Sequence, residues 1–259
     1  MKIKKILSSM IVASLLMCLG SCGKSESGSD VKYITDKGKM IVGITEYAPM
    51  DFQDENGNWT GFDAEFAEAF GEKIGVDIEF TVIDWDNKFL ELKSKSIDCI
   101  WNGMTISDEV LKNTECSDPY VRNEQVVVMK KDEISKYSDV ESMKKLKFSV
   151  ESASAGEAAA KGAEFNVVAV GAQSDALMEV QSGSVDACVI DSTMASAMTG
   201  EGTSYSDLGI GLTLTSEEYG VGFRKGSDMA EKFNSCMDEL IEDGTLPALA
   251  EKYKLTLVK

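Results

Sequence analysis

The feature that most constrains this chain is an internal match. Phe89-Leu90-Glu91-Leu92-Lys93-Ser94-Lys95-Ser96-Ile97-Asp98 aligns with Leu177-Met178-Glu179-Val180-Gln181-Ser182-Gly183-Ser184-Val185-Asp186. Every position keeps its identity or its character except Lys95, which stands opposite Gly183. Each copy reads as the end of an amphipathic helix, a turn and the start of an apolar strand. The strand is Ile97-Asp98-Cys99-Ile100-Trp101 in one copy and Ala187-Cys188-Val189-Ile190 in the other. Junctions of this kind look alike in unrelated α/β proteins, and it is the run of aligned positions that favours a repeat. The chain then consists of two similar α/β lobes. The first strand is expected to finish at Asn102 and the second at Asp191, and the carboxyl ends of strands are where α/β domains bind ligands.

Past the first strand, Asn102-Gly103-Met104-Thr105-Ile106-Ser107-Asp108-Glu109-Val110 turns polar where a helix begins. Ser107 or Asp108 suits its cap, and Asp108 and Glu109 fall at the favourable end of its dipole. Upstream, Met40 to Ile44 reads as a buried strand, and Asn56-Gly57 marks a hairpin turn. Phe62, Phe66, Phe70 and Ile74 recur every four residues, so they form one core-facing stripe of a helix that ends at Gly75. Val76, Ile78, Phe80 and Val82 alternate as a strand does, and its exit is Asp84-Trp85. Tyr47 and Trp85 both fall just past strand ends. An isolated aromatic there usually fills core, but two at equivalent ends of one sheet favour a wall for a ligand.

In the second half, Gln125 to Met129 and Lys147 to Val150 read as strands, with a helix capped at Ser138-Asp139 between them. Glu151-Ser152-Ala153-Ser154-Ala155-Gly156 opens an alanine-rich helix whose backbone N–H groups suit an anion or polar ligand, or serve only as a turn. Val167 to Val170 is a strand. Leu208 to Thr215 is extended, and Glu217 to Phe223 reads as a strand that returns to the first lobe. Met229, Phe233, Met237, Leu240 and Ile241 form the apolar face of a helix capped by Ser227 or Asp228, and a last helix starts at Pro247. No dinucleotide, phosphate-loop or nucleophile-elbow signature is present.

The amino terminus carries a basic segment, Met1-Lys2-Ile3-Lys4-Lys5, then an apolar run from Ile6 to Leu19 that is short for a bilayer span. This is the pattern of a secretion signal. Gly23 to Asp30 is rich in Gly and Ser and reads as a flexible tether, with the folded part beginning near Tyr33. Formal charge is −18, and removing Lys2, Lys4 and Lys5 with the signal takes it to −21. Such a surface repels nucleic acid and anionic lipid. The chain has no histidine, which excludes Ser-His-Asp and Cys-His nucleophiles and the usual His-bearing zinc sites. No metal and no cofactor is expected. Cys99 and Cys116 fit either a disulfide or buried free thiols.

These segments resemble the solute-binding proteins of polar-amino-acid ABC importers, whose type II fold has two Rossmann-like α/β lobes joined by a two-strand hinge. The resemblance rests on Lys39 to Gly43, Pro49-Met50-Asp51-Phe52, Asp54-Glu55-Asn56-Gly57 with Gly61-Phe62-Asp63, Asp84-Trp85, Ile97-Asp98, Gly103-Met104-Thr105-Ile106, Ser117-Asp118-Pro119-Tyr120, Tyr219-Gly220-Val221 and Lys225-Gly226-Ser227-Asp228. Leu19-Gly20-Ser21-Cys22 is similar to the bacterial lipoprotein box, which implies a lipid on Cys22. The resemblance implies ligand aromatics at Tyr47 and Trp85, main-chain and hydroxyl contacts at Asn102, Gly103 and Thr105, a second-lobe loop at Ser154 and Ala155, and an amine-binding carboxylate at Asp191. It implies hinge strands near Tyr120 to Gln125 and Thr215 to Tyr219. It also exposes a departure, because Val110 stands where such proteins usually carry an arginine for the ligand carboxylate. The chain has two arginines, Arg122 and Arg224.

The organisation expected is therefore residues 1–21 as signal peptide, 22–32 as tether, 33–122 with 217–259 as lobe 1, and 123–216 as lobe 2. The function expected is a monomeric, lipid-anchored extracytoplasmic receptor that closes on an amine-bearing solute and delivers it to a membrane permease. A dehydratase on the same fold would need a positioned acid or base, for which Glu46, Asp51 and Glu151 are candidates. A sensory module is the third reading. Without the arginine at 110, the ligand is either an amino acid held through Arg122 or in another unusual way, or a derivative whose carboxylate is absent or blocked and that bonds to Asn102.

Overall fold

A computed structural model describes residues 28–259; the signal segment and Cys22 lie outside the described residues. Helix α1 (Asp30–Lys37) leads into β1 (Lys39–Ile44), the hairpin β2 (Phe52–Gln53) and β3 (Trp59–Thr60), then α2 (Phe62–Ile74) and β4 (Asp77–Val82). A 3-10 turn (Trp85–Asn87) runs into α3 (Lys88–Ser94), followed by β5 (Cys99–Thr105), α4 (Asp108–Asn113) and β6 (Thr114–Cys116). Strand β7 (Val121–Lys130) crosses to the second lobe. That lobe holds α5 (Lys131–Ile134), α6 (Val140–Met143), β8 (Lys147–Glu151), α7 (Ala155–Gly162), β9 (Asn166–Val170), α8 (Gln173–Ser182), β10 (Ala187–Asp191) and α9 (Ser192–Met198). Strand β11 (Leu208–Arg224) runs back, and α10 (Met229–Glu242) and α11 (Thr245–Tyr253) close the first lobe.

The strand order is β4-β1-β5-β11-β7-β10-β8-β9. β1 is parallel to β4 and β5, and β8 is parallel to β9 and β10, so each lobe has its own parallel wing. The antiparallel pair β7 and β11 joins them, from Val121 opposite Tyr219 to Gln125 opposite Thr215 and on to Lys130 opposite Leu208. Thus the two segments expected to precede and follow Ser216 are one strand, with register shifts at Ile210, Thr213 and Thr215 absorbing its passage between lobes.

The internal match holds at the level of single hydrogen bonds. Ser94 Oγ and Ser182 Oγ each donate to the carbonyl three residues earlier, at 3.0 Å, and each meets the hydroxyl of Ser96 or Ser184 at 2.9 Å. Asp98 accepts from the Ile41 N–H at 2.9 Å, and Asp186 accepts from the Lys147 N–H at 2.8 Å, so each aspartate ties its junction to the adjacent strand. Lys95 and Gly183, the mismatched pair, both take left-handed backbone angles, with φ of 65° and 78°.

Two boundaries differ from the sequence expectation. The folded part includes Ser29 to Lys32, ahead of Tyr33, because long-range partners hold this end: Ser29 caps α1, the Val31 N–H donates to Asp228 at 3.0 Å, and Asp30 pairs with Arg224 at 3.0 Å. Strand β5 does not finish at Asn102 but runs to Thr105, because β11 continues its ladder to Tyr219 opposite Thr105. The core of lobe 1 is aromatic, with Phe66 edge-on to Trp101 at 4.8 Å and Phe233 against both. Phe148 stacked on Phe165 at 4.1 Å centres lobe 2. Cys99, Cys116, Cys188 and Cys236 are free thiols, so the disulfide alternative for Cys99 and Cys116 is not realised.

Candidate ligand cleft

The residues singled out in the sequence meet in one place. A cavity of about 90 Å³ between the lobes is lined by Tyr47, Trp85, Asn102, Gly103 and Thr105 from one side and by Ser154, Ala155 and Asp191 from the other. Lys88, Glu109, Val110, Glu151 and Gln173 also line it, and they bear on its charge. The lobes touch across it, since Thr193 of the second lobe bonds to the Tyr47 hydroxyl and, at 3.1 Å, to the Tyr219 hydroxyl, which are themselves 2.6 Å apart within the first.

Several of these side chains are braces, with their polar atoms already engaged. Asn102 Nδ2 donates to the Thr45 carbonyl at 3.0 Å and to Asp51 at 2.7 Å, and its Oδ1 accepts from the Thr45 hydroxyl at 2.6 Å. Asp63 accepts from the Gly103 N–H at 2.6 Å and from Tyr120 at 2.9 Å. Two buried aspartates from the β2 and α2 segments therefore fix the β5 tip. Gly103 has φ of 54°, and a Cβ there would lie 2.6 Å from the Tyr47 ring, so this close approach requires glycine. Thr105 donates to Glu217 at 2.7 Å, and Ser154 caps α7 by accepting from the Glu157 N–H at 3.0 Å.

The acids of the cavity are held differently. Asp191 accepts from Asn123 at 2.5 Å, from Gln125 at 2.6 Å and from Gln173, whose Oε1 receives the Asp191 N–H at 2.9 Å. Glu217 shares the same amides, accepting from Asn123 and Gln125 at 2.7 Å. Burial first, and the charge of Glu217 second, push the Asp191 carboxyl up to about 7. Glu151 is 5% exposed, and burial, then the charge of Asp191, push it up to about 8. A cation placed beside these two acids would favour their charged forms and be held by them.

Neither arginine enters the cavity. Arg224 is bound into a structural network with Asp30, Asp98 and the Ile97 carbonyl. Arg122 is exposed and lines a separate groove of about 930 Å³ beside the hinge. Val110 is 4% exposed and packs with Ile83, Leu92 and Ile100. Sequence reasoning missed Lys88, which is the buried basic residue of this wall at 4% exposed. The signal was available: Lys88 lies four residues before buried Leu92, on the face of α3 that turns inward.

This arrangement has counterparts. The model of the bacterial extracellular solute-binding proteins, family 3, matches residues 40–256. The chain belongs to that family. Among its relatives, the arginine-binding extracellular protein ArtP of Bacillus subtilis is 32% identical over 96% of this chain and 98% of its own length. The L-cystine-binding protein TcyJ of Escherichia coli K12 is 29% identical over 85% of this chain and 84% of its own. Among solved structures, a mutant of ArgBP from T. maritima superposes with a TM-score of 0.80 at 33% identity, covering 86% of this chain and 98% of that one. The ancestral amino acid-binding protein AncCDT-1, a precursor of cyclohexadienyl dehydratase, gives 0.79 at 31% identity, covering 87% and 99%. This family 3 protein is accordingly a two-lobed extracellular solute-binding protein of ABC importers.

Proposed function

We propose that this family 3 protein captures an amino acid between its lobes and hands it to an ABC permease. The observation that carries this reading is Asp191: a buried carboxylate at a strand tip, oriented by three amides, facing Tyr47 and Trp85 across a cavity sized for a small solute. A ligand ammonium supplies the charge that Asp191 and Glu151 lack, while Tyr47, Trp85 and the Gly103 backbone enclose its carbon skeleton. The lobes are residues 29–122 with 217–259, and 123–216, closing about the β7 and β11 pair. Relatives named for arginine, cystine and histidine support an amino-acid ligand.

No chemistry is assigned to the site. Of the candidate acids, Asp51 is tied to Asn102 in the core and Glu46 is exposed outside the cavity lining, which leaves Glu151 without a partnered base. The protein acts as a monomer, binds no nucleic acid and is held at the outer face of the membrane by two acyl chains on Cys22, since one chain anchors only weakly. Cys22→Ala should release a folded protein into the medium; retention on the membrane would reject the anchor. Calorimetric titration with the standard amino acids and L-cystine should find one-to-one binding for at least one of them. Binding by none, or a product detected by mass spectrometry, would reject the receptor reading.

A further inference from the structure

Lys88 is the one buried basic side chain among the described residues, and it lines the ligand cavity. Its ammonium donates to two carbonyls, Trp85 O on its own side and Ala153 O on the facing lobe, both at 3.1 Å. It also lies 4.7 Å over the Trp85 ring and 5.0 Å from the Phe89 ring. An ammonium has three N–H donors, and two are used. Within salt-bridge distance it meets no carboxylate of the described residues, whereas buried Asp98 collects both Lys37 and Arg224. Burial works against its charge, while Glu109, Glu151 and Asp86 act on it from beyond salt-bridge distance. A desolvated cation with no direct ion pair is costly, so this cavity suits a ligand that brings an anion into contact with it.

The neighbours of Lys88 say where that anion sits. Ala153 O is one residue ahead of Ser154, the cap of α7, and Ser154 and Ala155 line the same cavity. A carboxylate beside Lys88 therefore lies between an ammonium of lobe 1 and the positive end of an eight-residue helix of lobe 2. The acids Asp191, Glu151 and Glu109 line the same space. Lysine and acids within one cavity match the two ends of a zwitterion.

We propose that Lys88 is the carboxylate anchor of this protein, a specificity residue that does from α3 what Val110 cannot do from α4. This inference rests on the amino-acid reading above and sharpens it: the ligand is an α-amino acid with a free carboxylate, not an amide, a peptide-linked residue or a polyamine. Neither Arg122 nor the Asn102 side chain is needed: Arg122 lies in a separate groove, and the Asn102 amide is engaged with Thr45 and Asp51. Because Lys88 also bonds to Ala153 across the cleft, the carboxylate and lobe closure are read by one side chain.

The test compares each bound amino acid with its α-amide by calorimetry at pH 7, in the wild type, in Lys88→Met and in Lys88→Arg. The wild type should favour the free acid over the amide by at least about thirtyfold, the lower end for a buried charge pair. Lys88→Met should lose that preference while its affinity for the amide stays within about threefold, and Lys88→Arg should keep the preference. A wild type that binds acid and amide equally overturns the proposal and leaves an amine receptor standing. A Lys88→Met variant that keeps the preference assigns the carboxylate elsewhere. If no acid and no amide binds the wild type, the amino-acid reading falls and takes this one with it. Should Lys88→Met fail to fold, the wild-type ratio and Lys88→Arg still decide.

Discussion

Asp191 and Glu151 store their function in displaced proton affinity. Both are held above the ordinary carboxylate range, at about 7 and about 8, first by burial and then by the charge of Glu217 on Asp191 and of Asp191 on Glu151, with Lys88 and the Gln173 amide pulling Glu151 the other way. Between about pH 4 and these values the folded protein keeps protons that the unfolded chain releases, so stability falls as pH rises through that window. Asp63, pushed up to about 7 by its burial, adds to the same trend. An ammonium ligand reverses it by pairing with the ionised forms. The melting temperature of the empty protein should therefore drop from pH 5 to pH 8, while ligand affinity tightens from pH 6 to pH 8. Asp191→Ala should cost roughly 2–5 kcal/mol of binding free energy and flatten that affinity profile. A wild-type profile that is already flat would place the ligand cation away from these acids. Asp191 was legible in the sequence because it ends a repeated helix-to-strand unit. Lys88 was not, because one lysine ahead of an apolar stripe reads as solvent-facing until the fold buries it.

The junctions from α3 to β5 and from α8 to β10 are where the sequence spoke most clearly and where backbone geometry explains the single mismatch. Position 95 and position 183 both need φ near +70°, which glycine adopts freely and lysine does not. A Cβ at Gly183 meets nothing within 4 Å, so only the backbone conformation resists a side chain there. Gly183→Ala should then cost about 1–2 kcal/mol of stability, read as a lower denaturant midpoint, with ligand affinity unchanged. An unaltered midpoint would mean that the turn relaxes. Periodicity found α2 and the hairpin because local stripes and an Asn-Gly turn define them. It broke β11 in two at Ser216, whose extension is imposed by pairing with Glu124. The start of α1 was likewise hidden, because its partners, Arg224 and Asp228, lie far along the chain.

For the molecule as a whole, two parallel wings share one antiparallel pair, and the cavity between them exists only while they meet. The contacts that close it are few and polar: Tyr47 with Thr193, and Lys88 with the Ala153 carbonyl. Such contacts are exchangeable with water, so the empty protein should populate an open form that ligand shifts towards the closed one. Where the cavity lies was legible from strand ends alone; which charges it balances required the folded chain. The most direct measurement is small-angle scattering of the protein with and without a saturating amino acid identified by calorimetry. A smaller radius of gyration with ligand is the result expected, and superimposable profiles at saturation would contradict capture by closure.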